Sequence, residues 1–210
     1  MTGTSLISRW STLSSATIHE AAGKTGALPP SIKPLAPMMK IAGVALPVTS
    51  PPGDNLWLHR AIYAAAPGDV LVVDTGHGID FGYWGEVMTV AAQQRHIAGL
   101  VLTGGVRDSQ RIIAMGFPVF AGAICIRGTV KDASGKGRIG EPIQIGEVRV
   151  RRGDYVFGDA DGVVVVDAQR LAGVVAEAEQ RDIKEILIFE RLRNGATTID
   201  IYHLPREADK

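Results

Sequence analysis

Residues 98–111, AGLVLTGGVRDSQR, contain the pattern that decides the fold. A continuously apolar run stops at two glycines, and an arginine and an aspartate follow before a helical pattern begins. Short apolar runs bounded by turn residues are typical of buried strands, and open α/β sheets bind ligands beyond the carboxyl ends of their strands. The stretch therefore predicts a buried strand, a sharp turn at Gly104 and Gly105, and a charged pair, Arg107 and Asp108, at the mouth of a binding site.

Apolar runs and helical patterns also alternate on both sides of this stretch. Helices are predicted over 84–96, over 108–115 and directly after Asp54, which is the predicted N-cap. Strands that alternate with helices indicate an α/β core with some parallel sheet. Three further apolar runs predict strands: IAGVALPVTS (41–50), PGDVLVVD (67–74) and FPVFAGA (117–123).

The second half of the chain has a different character. Residues 143–167, IQIGEVRVRRGDYVFGDADGVVVVD, are rich in strand formers, and GDADG (158–162) predicts a tight hairpin turn. Residues 168–193 form a long amphipathic pattern that ends at Asn194 and Gly195, as helices commonly do. We therefore expect one domain over residues 1–210, either α/β or α+β, with a C-terminal helical extension.

Composition narrows the class of protein. Lys+Arg and Asp+Glu both number 22, and this balance argues against a protein that binds nucleic acid by neutralising phosphates. No apolar run is long enough to span a membrane, and the first ten residues do not resemble a secretory signal. The single cysteine, Cys125, cannot form an internal disulfide. These features favour a soluble cytoplasmic protein that makes no contact with nucleic acid or membrane.

The chemistry-bearing residues follow two glycine turns. Arg107 offers a forked cation suited to a carboxylate or an oxyanion, and Asp108 offers hard oxygen ligands for a divalent ion. Gly85 and Glu86 start a second predicted helix, whose backbone N–H groups form a natural anion site. Twenty residues separate Glu86 from Arg107, enough for one helix and one strand, so the two turns are expected at the same sheet edge. A surface arginine beside an N-capping aspartate explains the Arg-Asp pair equally well.

Several segments, in this order, resemble the RraA-like family: GDN, PGDVLVVD, WGEV, GLVLTGGVRD, GFPVF, RGT and GEVRVRRGDYVFGDADGVVVV. The enzymes of that family are class II pyruvate aldolases, which cleave 4-hydroxy-4-methyl-2-oxoglutarate and 4-carboxy-4-hydroxy-2-oxoadipate. The resemblance covers nearly the whole chain. It implies the α/β swivelling β/β/α domain, here with an N-terminal extension and a long C-terminal helix. It also implies homotrimers or homohexamers with active sites between subunits.

The resemblance also implies roles for individual residues. Asp108 is expected to hold Mg²⁺ or Mn²⁺, and Arg107 is expected to contact the keto oxygen of the pyruvyl group. Glu86 is expected to hydrogen-bond the waters on the metal ion. The carboxylate of pyruvate is expected on the backbone amides of four consecutive residues: Gly85, Glu86, Val87 and Met88.

A neighbouring subunit is expected to complete the site through the C-terminal helix, residues 168–194. Glu185 is the candidate residue on this helix, with Glu190 as the alternative. His77, in a glycine-rich loop after a strand, could bind the distal carboxylate or move a proton, and a surface position is equally consistent with its sequence context. His59 and His19 lie on predicted helices, where we expect packing or surface roles. The base that takes the C4 hydroxyl proton stays open between a metal-bound water, Glu185 and His77.

Two positions depart from the family pattern. Glu86 stands where the family often has aspartate, and Thr103-Gly104 stands where the family often has Asp-Gly, so these departures leave the substrate open beyond the best-known ones. None of the lysines lies in an apolar strand, which favours the metal route over a Schiff base.

Two functions are compatible with this resemblance. The first is a divalent-metal-dependent aldolase that acts on a small 2-oxo acid, with oxaloacetate decarboxylation as a side activity. The second is a non-catalytic regulator that binds ribonuclease E. Regulators of this family are shorter and stop before a long C-terminal helix, so the helix with Glu185 favours the enzyme. The chain lacks a glycine-rich nucleotide fingerprint, which argues against the methyltransferase label that such sequences sometimes carry.

Overall fold

The structure is a computed structural model that describes residues 12–76 and 78–206, and a nine-stranded mixed sheet lies at its centre. The strands are β1 (Lys33–Pro34), β2 (Ile41–Thr49), β3 (Asp69–Asp74), β4 (Gly82–Trp84), β5 (Gly99–Val106), β6 (Val119–Ile124), β7 (Arg138–Ile139), β8 (Ile143–Ile145), β9 (Val148–Val150), β10 (Tyr155–Asp159) and β11 (Gly162–Val166). The strand order in the sheet is β1-β6-β5-β3-β2-β10-β11, with β4 beside β5 and β7 beside β2, while β8 and β9 form a separate hairpin.

The centre of the sheet is parallel. Strands β2, β3, β5 and β6 run in the same direction, and Leu71 pairs with Leu46 on one side and with Leu100 on the other. These strands are almost entirely apolar because both faces of a parallel sheet are covered. The predicted hairpin is confirmed as β10 and β11, which are antiparallel. Ala27 bridges to Val164 of β11, so the sheet is nearly closed.

Helices cover this sheet at several places. The described helices are α1 (Ser15–Ala21), α2 (Leu56–Ala64), α3 (Glu86–Gln94), α4 (Ser109–Ala114), α5 (Leu171–Arg193) and α6 (Thr198–Ile201). Leu58 and Ile62 of α2, Met88 of α3 and Ile112 of α4 join one buried apolar cluster with the sheet. Helix α1 and the first half of α5 bury a second cluster around Phe157. Within the described ranges, no helix combines the length and the apolar character needed to cross a membrane.

The fold expected from the family resemblance, α/β with a long C-terminal helix, is confirmed. The predicted turn within GLVLTGGV was wrong. Gly104 and Gly105 are not a turn, because β5 continues through them to Val106. A Cβ on Gly104 would lie 2.7 Å from Thr75 Oγ1 and 2.8 Å from the ring of Tyr83, so this glycine permits close packing rather than a change of direction.

Helix boundaries also differ from the predicted ones. The N-cap of α2 is Asn55 rather than Asp54, although Asp54 Oδ1 accepts a hydrogen bond from Leu56 N at 2.7 Å. Helix α3 begins at Glu86 rather than residue 84, because Gly82–Trp84 forms β4 and pairs with β5. The long C-terminal helix begins at Leu171 rather than at residue 168. It ends at Arg193, directly before Asn194 and Gly195, as predicted.

Candidate active site

The carboxyl ends of β4 and β5 open into a cleft of about 200 Å³. It lies at the sheet edge that the sequence predicted. Polar, charged and apolar groups all reach it, as in typical small-ligand sites. The lining residues are Asn55, His59, Tyr83, Gly85, Val87, Met88, Arg107, Asp108 and Lys131.

Arg107 and Asp108 are held where β5 meets α4. Arg107 N donates to Trp84 O at 2.8 Å, which ties the end of β5 to β4. Asp108 is the N-cap of α4 with a left-handed φ of 56°, but its side chain makes no capping bond to that helix. Asp108 Oδ2 instead accepts from Glu86 N at 3.0 Å. Asp108 thus occupies the N-cap position of its own helix while its carboxylate lies on the neighbouring turn.

Gly85 makes this close approach feasible. A Cβ at this position would lie 2.5 Å from Asp108 Oδ2 and 3.2 Å from Arg107 Cγ. Its φ of −154° is ordinary extended backbone, so the requirement for glycine is one of space. The Glu86 amide is taken by Asp108, and no described residue accepts from the Val87 or Met88 amide. Two free donors at a helix N-terminus therefore face the same region as Arg107.

The carboxylate of Glu86 is paired with an arginine that sequence reasoning missed. Arg111 Nη1 lies 2.7 Å from Glu86 Oε2, and both side chains are partly exposed. Arg111 is on the first turn of α4, one turn after Asp108, so this short helix supplies a partner for Glu86 as well as the carboxylate beside it.

The cleft also has lining residues that the sequence did not predict as part of the site: Asn55, His59 and Lys131. Asn55 Nδ2 donates to Tyr83 O at 2.9 Å, whereas Asn55 Oδ1 is buried and has no hydrogen-bond partner among the described residues. His59 follows Asn55 at helical spacing, and Lys131 arrives from the loop after β6. Burial lowers the pKa of His59 below its ordinary value, and the positive charge of Lys131 lowers this pKa further. The spacing of Asn55 and His59 in GDNLWLH was a usable signal, but nothing in the sequence placed Lys131 beside them.

The remaining predicted site residues lie elsewhere. Glu185 lines a separate groove on α5 together with Arg181 and Tyr202, and Glu190 is exposed. Thr103 accepts from Thr75 N at 2.9 Å and donates to Asp74 Oδ1 at 3.2 Å, so it joins β3 to β5 and does not line the cleft. His77 lies outside the described residues.

The donor set suits a lightly coordinated divalent ion. No group of three or more His, Cys, Asp or Glu side chains converges within the described part of the chain. Mg²⁺ keeps several waters and is often held through one or two carboxylates, with the substrate supplying further oxygens. The partly exposed Asp108 carboxylate, in the space that a Cβ on Gly85 would fill, fits such an ion. Asp108 is accordingly the residue that would hold it.

A nearly closed mixed sheet with a cleft at the carboxyl ends of its strands places the chain in the α/β class, in which ligands commonly bind at that edge. The particular family follows from comparison with known proteins. A sequence model of the RraA-like family, described as Aldolase/RraA, matches residues 12–165. The chain therefore belongs to the RraA-like family.

Individual relatives agree with this assignment. A protein of Halalkalibacterium halodurans, provisionally named a 4-hydroxy-4-methyl-2-oxoglutarate aldolase, is 34% identical over 175 residues, which cover 83% of this chain and 82% of the relative. The crystal structure of an uncharacterized protein from Pseudomonas syringae pv. tomato has a TM-score of 0.82 at 26% identity and covers 93% of this chain and 92% of its own. The RNA-processing inhibitor RraA from Thermus thermophilis shares the fold, with a TM-score of 0.65 at 23% identity over 72% of this chain and 90% of its own.

Proposed function

We propose that this protein is a divalent-metal-dependent class II aldolase. Its substrate would be a 4-hydroxy-2-oxo di- or tricarboxylic acid, such as 4-hydroxy-4-methyl-2-oxoglutarate or 4-carboxy-4-hydroxy-2-oxoadipate. The products would be pyruvate and a second oxo acid. The observation that carries the proposal is the convergence of Arg107, Asp108 and the α3 N-terminus in one cleft. The aldolase name of the Halalkalibacterium relative supports the reaction class.

The cleft offers a partner for each end of the pyruvyl half of the substrate. The Val87 and Met88 amides, at the positive end of α3, can receive its carboxylate. The Arg107 guanidinium can donate to the 2-keto oxygen. Cleavage of the C3–C4 bond leaves its electron pair on C3 as an enolate, whose negative charge develops on that keto oxygen, where a fixed cation is most effective. A divalent ion held by Asp108 would supply a second positive charge for the same enolate.

Decarboxylation of oxaloacetate provides a second reaction that follows from the same groups. Loss of CO₂ from that acid leaves the same pyruvate enolate, so Arg107 would stabilise both transition states. We therefore propose oxaloacetate decarboxylation as a side activity. A Schiff-base route lacks a suitable residue in the described cleft, because Lys131 is exposed on a loop rather than held in an apolar strand.

The proposed assembly is a homotrimer or homohexamer in which α5 of one subunit reaches the cleft of the next. Glu185 lies away from the Arg107 cleft within one chain, so it can act there only from another copy. Beyond Ala178, α5 has no buried residue and presents exposed Ile183, Ile186 and Leu187. An apolar stripe beyond the domain surface is suited to burial against a neighbouring subunit.

The test is pyruvate release from the two hydroxy acids and from oxaloacetate, measured with Mg²⁺, with Mn²⁺ and with EDTA. We expect metal-dependent turnover in the wild type and a loss of at least about 10²-fold in Arg107→Ala. Arg138→Ala is the matched control, because Arg138 pairs with Glu141 outside the cleft and should behave as wild type. Equal turnover in EDTA would rule out the metal route. Absence of turnover on all three compounds would favour the regulator, a binding protein that keeps the scaffold.

A further inference from the structure

His59 lines the cleft, and the proposed binding roles give it no function. It lies on α2 with its ring half-buried, and its imidazole has no hydrogen-bond partner among residues 12–76 and 78–206. By contrast, His19 Nδ1 lies 3.2 Å from Thr25 O, outside the cleft. A half-buried imidazole without a protein partner has both nitrogens available to a ligand.

The other described groups of the cleft are poorly suited to moving a proton. Arg107 and Lys131 are cationic donors without an acceptor atom. Asp108 already accepts from the Glu86 amide. The buried hydroxyl of Tyr83 accepts from Gly53 N at 2.7 Å. Of the groups on α2, β4, the β5–α4 turn and the loop after β6, His59 alone offers a free basic nitrogen.

Electrostatics keep this nitrogen available at neutral pH. Burial is the main cause of the lowered pKa of His59, and Lys131 adds to it. Arg107 is a further cation on the cleft wall, and Asp108 is the one acidic residue among the described residues that line the cleft. A neutral imidazole can accept a proton and, once protonated beside Lys131, gives the proton up readily.

We propose that His59 is the proton-transfer group of this cleft, an inference that rests on the proposed aldolase function. Its imidazole accepts the proton of the C4 hydroxyl as the C3–C4 bond breaks. The O–H electrons form the new C4 carbonyl, and the C3–C4 pair becomes the enolate. The imidazolium then returns the proton to C3 and gives pyruvate, so His59 ends in its starting state.

The first experiment compares His59→Asn with His96→Asn. His96 is an exposed histidine with a left-handed φ of 54°, a conformation that asparagine accepts. We expect His59→Asn to lower kcat for aldol cleavage by about 10²- to 10⁴-fold with little change in KM, whereas His96→Asn stays at the wild-type value. Added imidazole should restore part of the lost rate in His59→Asn alone.

The dependence of kcat/KM on pH distinguishes a proton-transfer role of His59 from a purely structural role. Because the neutral ring is required, wild-type kcat/KM should fall on the acid side of the His59 pKa, which lies below the ordinary histidine value. This limb should be absent from the residual activity of His59→Asn. If His59→Asn fails to fold, as judged by its circular dichroism, His59→Gln replaces it.

A second assay separates this inference from the proposed function. Exchange of the pyruvate C3 protons in D₂O, followed by NMR, reports enolate protonation without aldol cleavage, and His59→Asn should slow this exchange. Wild-type turnover with an undiminished His59→Asn would overturn only the role of His59. Loss of the acid limb in Glu185→Gln or in a His77 variant, with the limb kept in His59→Asn, would assign the proton to that residue instead. Absence of both turnover and exchange in the wild type would overturn the aldolase proposal, and this inference with it.

Discussion

Gly85 shows how a single hydrogen atom in place of a side chain determines the geometry of the site. In Gly85→Ala, the new Cβ would lie 2.5 Å from Asp108 Oδ2, so the carboxylate has to move away from the Glu86 amide. Misplacement by about 1 Å can cost about 10²-fold in rate, and we expect a drop of that size in metal-dependent pyruvate release. Gly173→Ala is the control, because no atom lies within 4 Å of its Cβ position. Full activity in Gly85→Ala would show that the Asp108–Glu86 contact is dispensable.

Asp154 links stability to pH. It is buried, and desolvation is the main cause that raises its pKa, with a smaller rise from the charge of Asp167. Together these effects outweigh the hydrogen bonds from the Arg151 and Ala168 amides and the positive charge of Arg151, all of which lower the pKa. The folded state therefore binds this proton more tightly than the unfolded state, so the associated stability is present at acid pH and is lost as pH rises through the raised pKa. Asp154→Asn removes this loss, so its free energy of unfolding relative to wild type should increase as the pH rises from the ordinary aspartate pKa through the raised pKa of Asp154.

Urea unfolding at several pH values tests this sign. Asp132→Asn is the matched control, because hydrogen bonds from Ser134 lower the pKa of Asp132 and reverse the expected trend. A pH-independent difference between wild type and Asp154→Asn would contradict the linkage.

At the residue scale, sequence reasoning found the part of the cleft that is local in the chain. Arg107 and Asp108 are adjacent, and one helix and one strand bring Glu86 to them. Lys131 reaches the cleft only because the loop after β6 folds back over α2, where Val130 N donates to Gly53 O at 2.8 Å. The Glu86–Arg111 pair likewise depends on how two helix starts are placed in space. Contacts of this kind leave no periodic signal in the sequence.

At the element scale, β5 depends on glycines for close packing. In Gly104→Ala, the added Cβ would approach both the Thr75 hydroxyl and the Tyr83 ring closer than 3 Å. Overpacking of this kind costs about 1–3 kcal/mol, and we expect that loss in the free energy of unfolding measured with urea. Gly128→Ala, in a loop with open space around its Cβ position, should change stability far less. Equal stability of the two variants would mean that β3 and β4 can move apart at no cost.

The strands differ in how well the sequence alone predicts them. Runs such as DVLVVD in β3 are apolar throughout and bounded by turn residues, so they were recognised correctly. The three residues of β4, Gly82–Trp84, are too few to show a period, and they pair with β5, which follows only after helix α3. Two consecutive glycines after an apolar run resemble a strand end, because the neighbours that require them belong to other elements.

At the scale of the whole molecule, the C-terminal helix divides into two halves with different environments. Leu171, Val174, Val175 and Ala178 are buried against the domain, whereas Ile186 and Leu187 are more than half exposed. Amphipathic spacing predicted a helix here, and the helix is confirmed. The spacing alone does not identify what the exposed apolar side chains of the second half contact, because the sequence of one chain shows only an apolar stripe.

Mixing two inactive variants tests the proposed assembly directly. Arg107→Ala and Glu185→Gln subunits, each inactive alone under this proposal, should regain activity when they are unfolded together and refolded, because some sites then combine an intact Arg107 with a neighbour's intact Glu185. Random assortment in a closed ring leaves about a quarter of the sites intact, and we expect recovery of that order. The control mixes Arg107→Ala with Asp108→Asn, two residues of one cleft, and should stay inactive. If the first mixture also stays inactive while Glu185→Gln alone is inactive, no site combines Arg107 and Glu185 from two subunits, and the shared-site assembly is wrong.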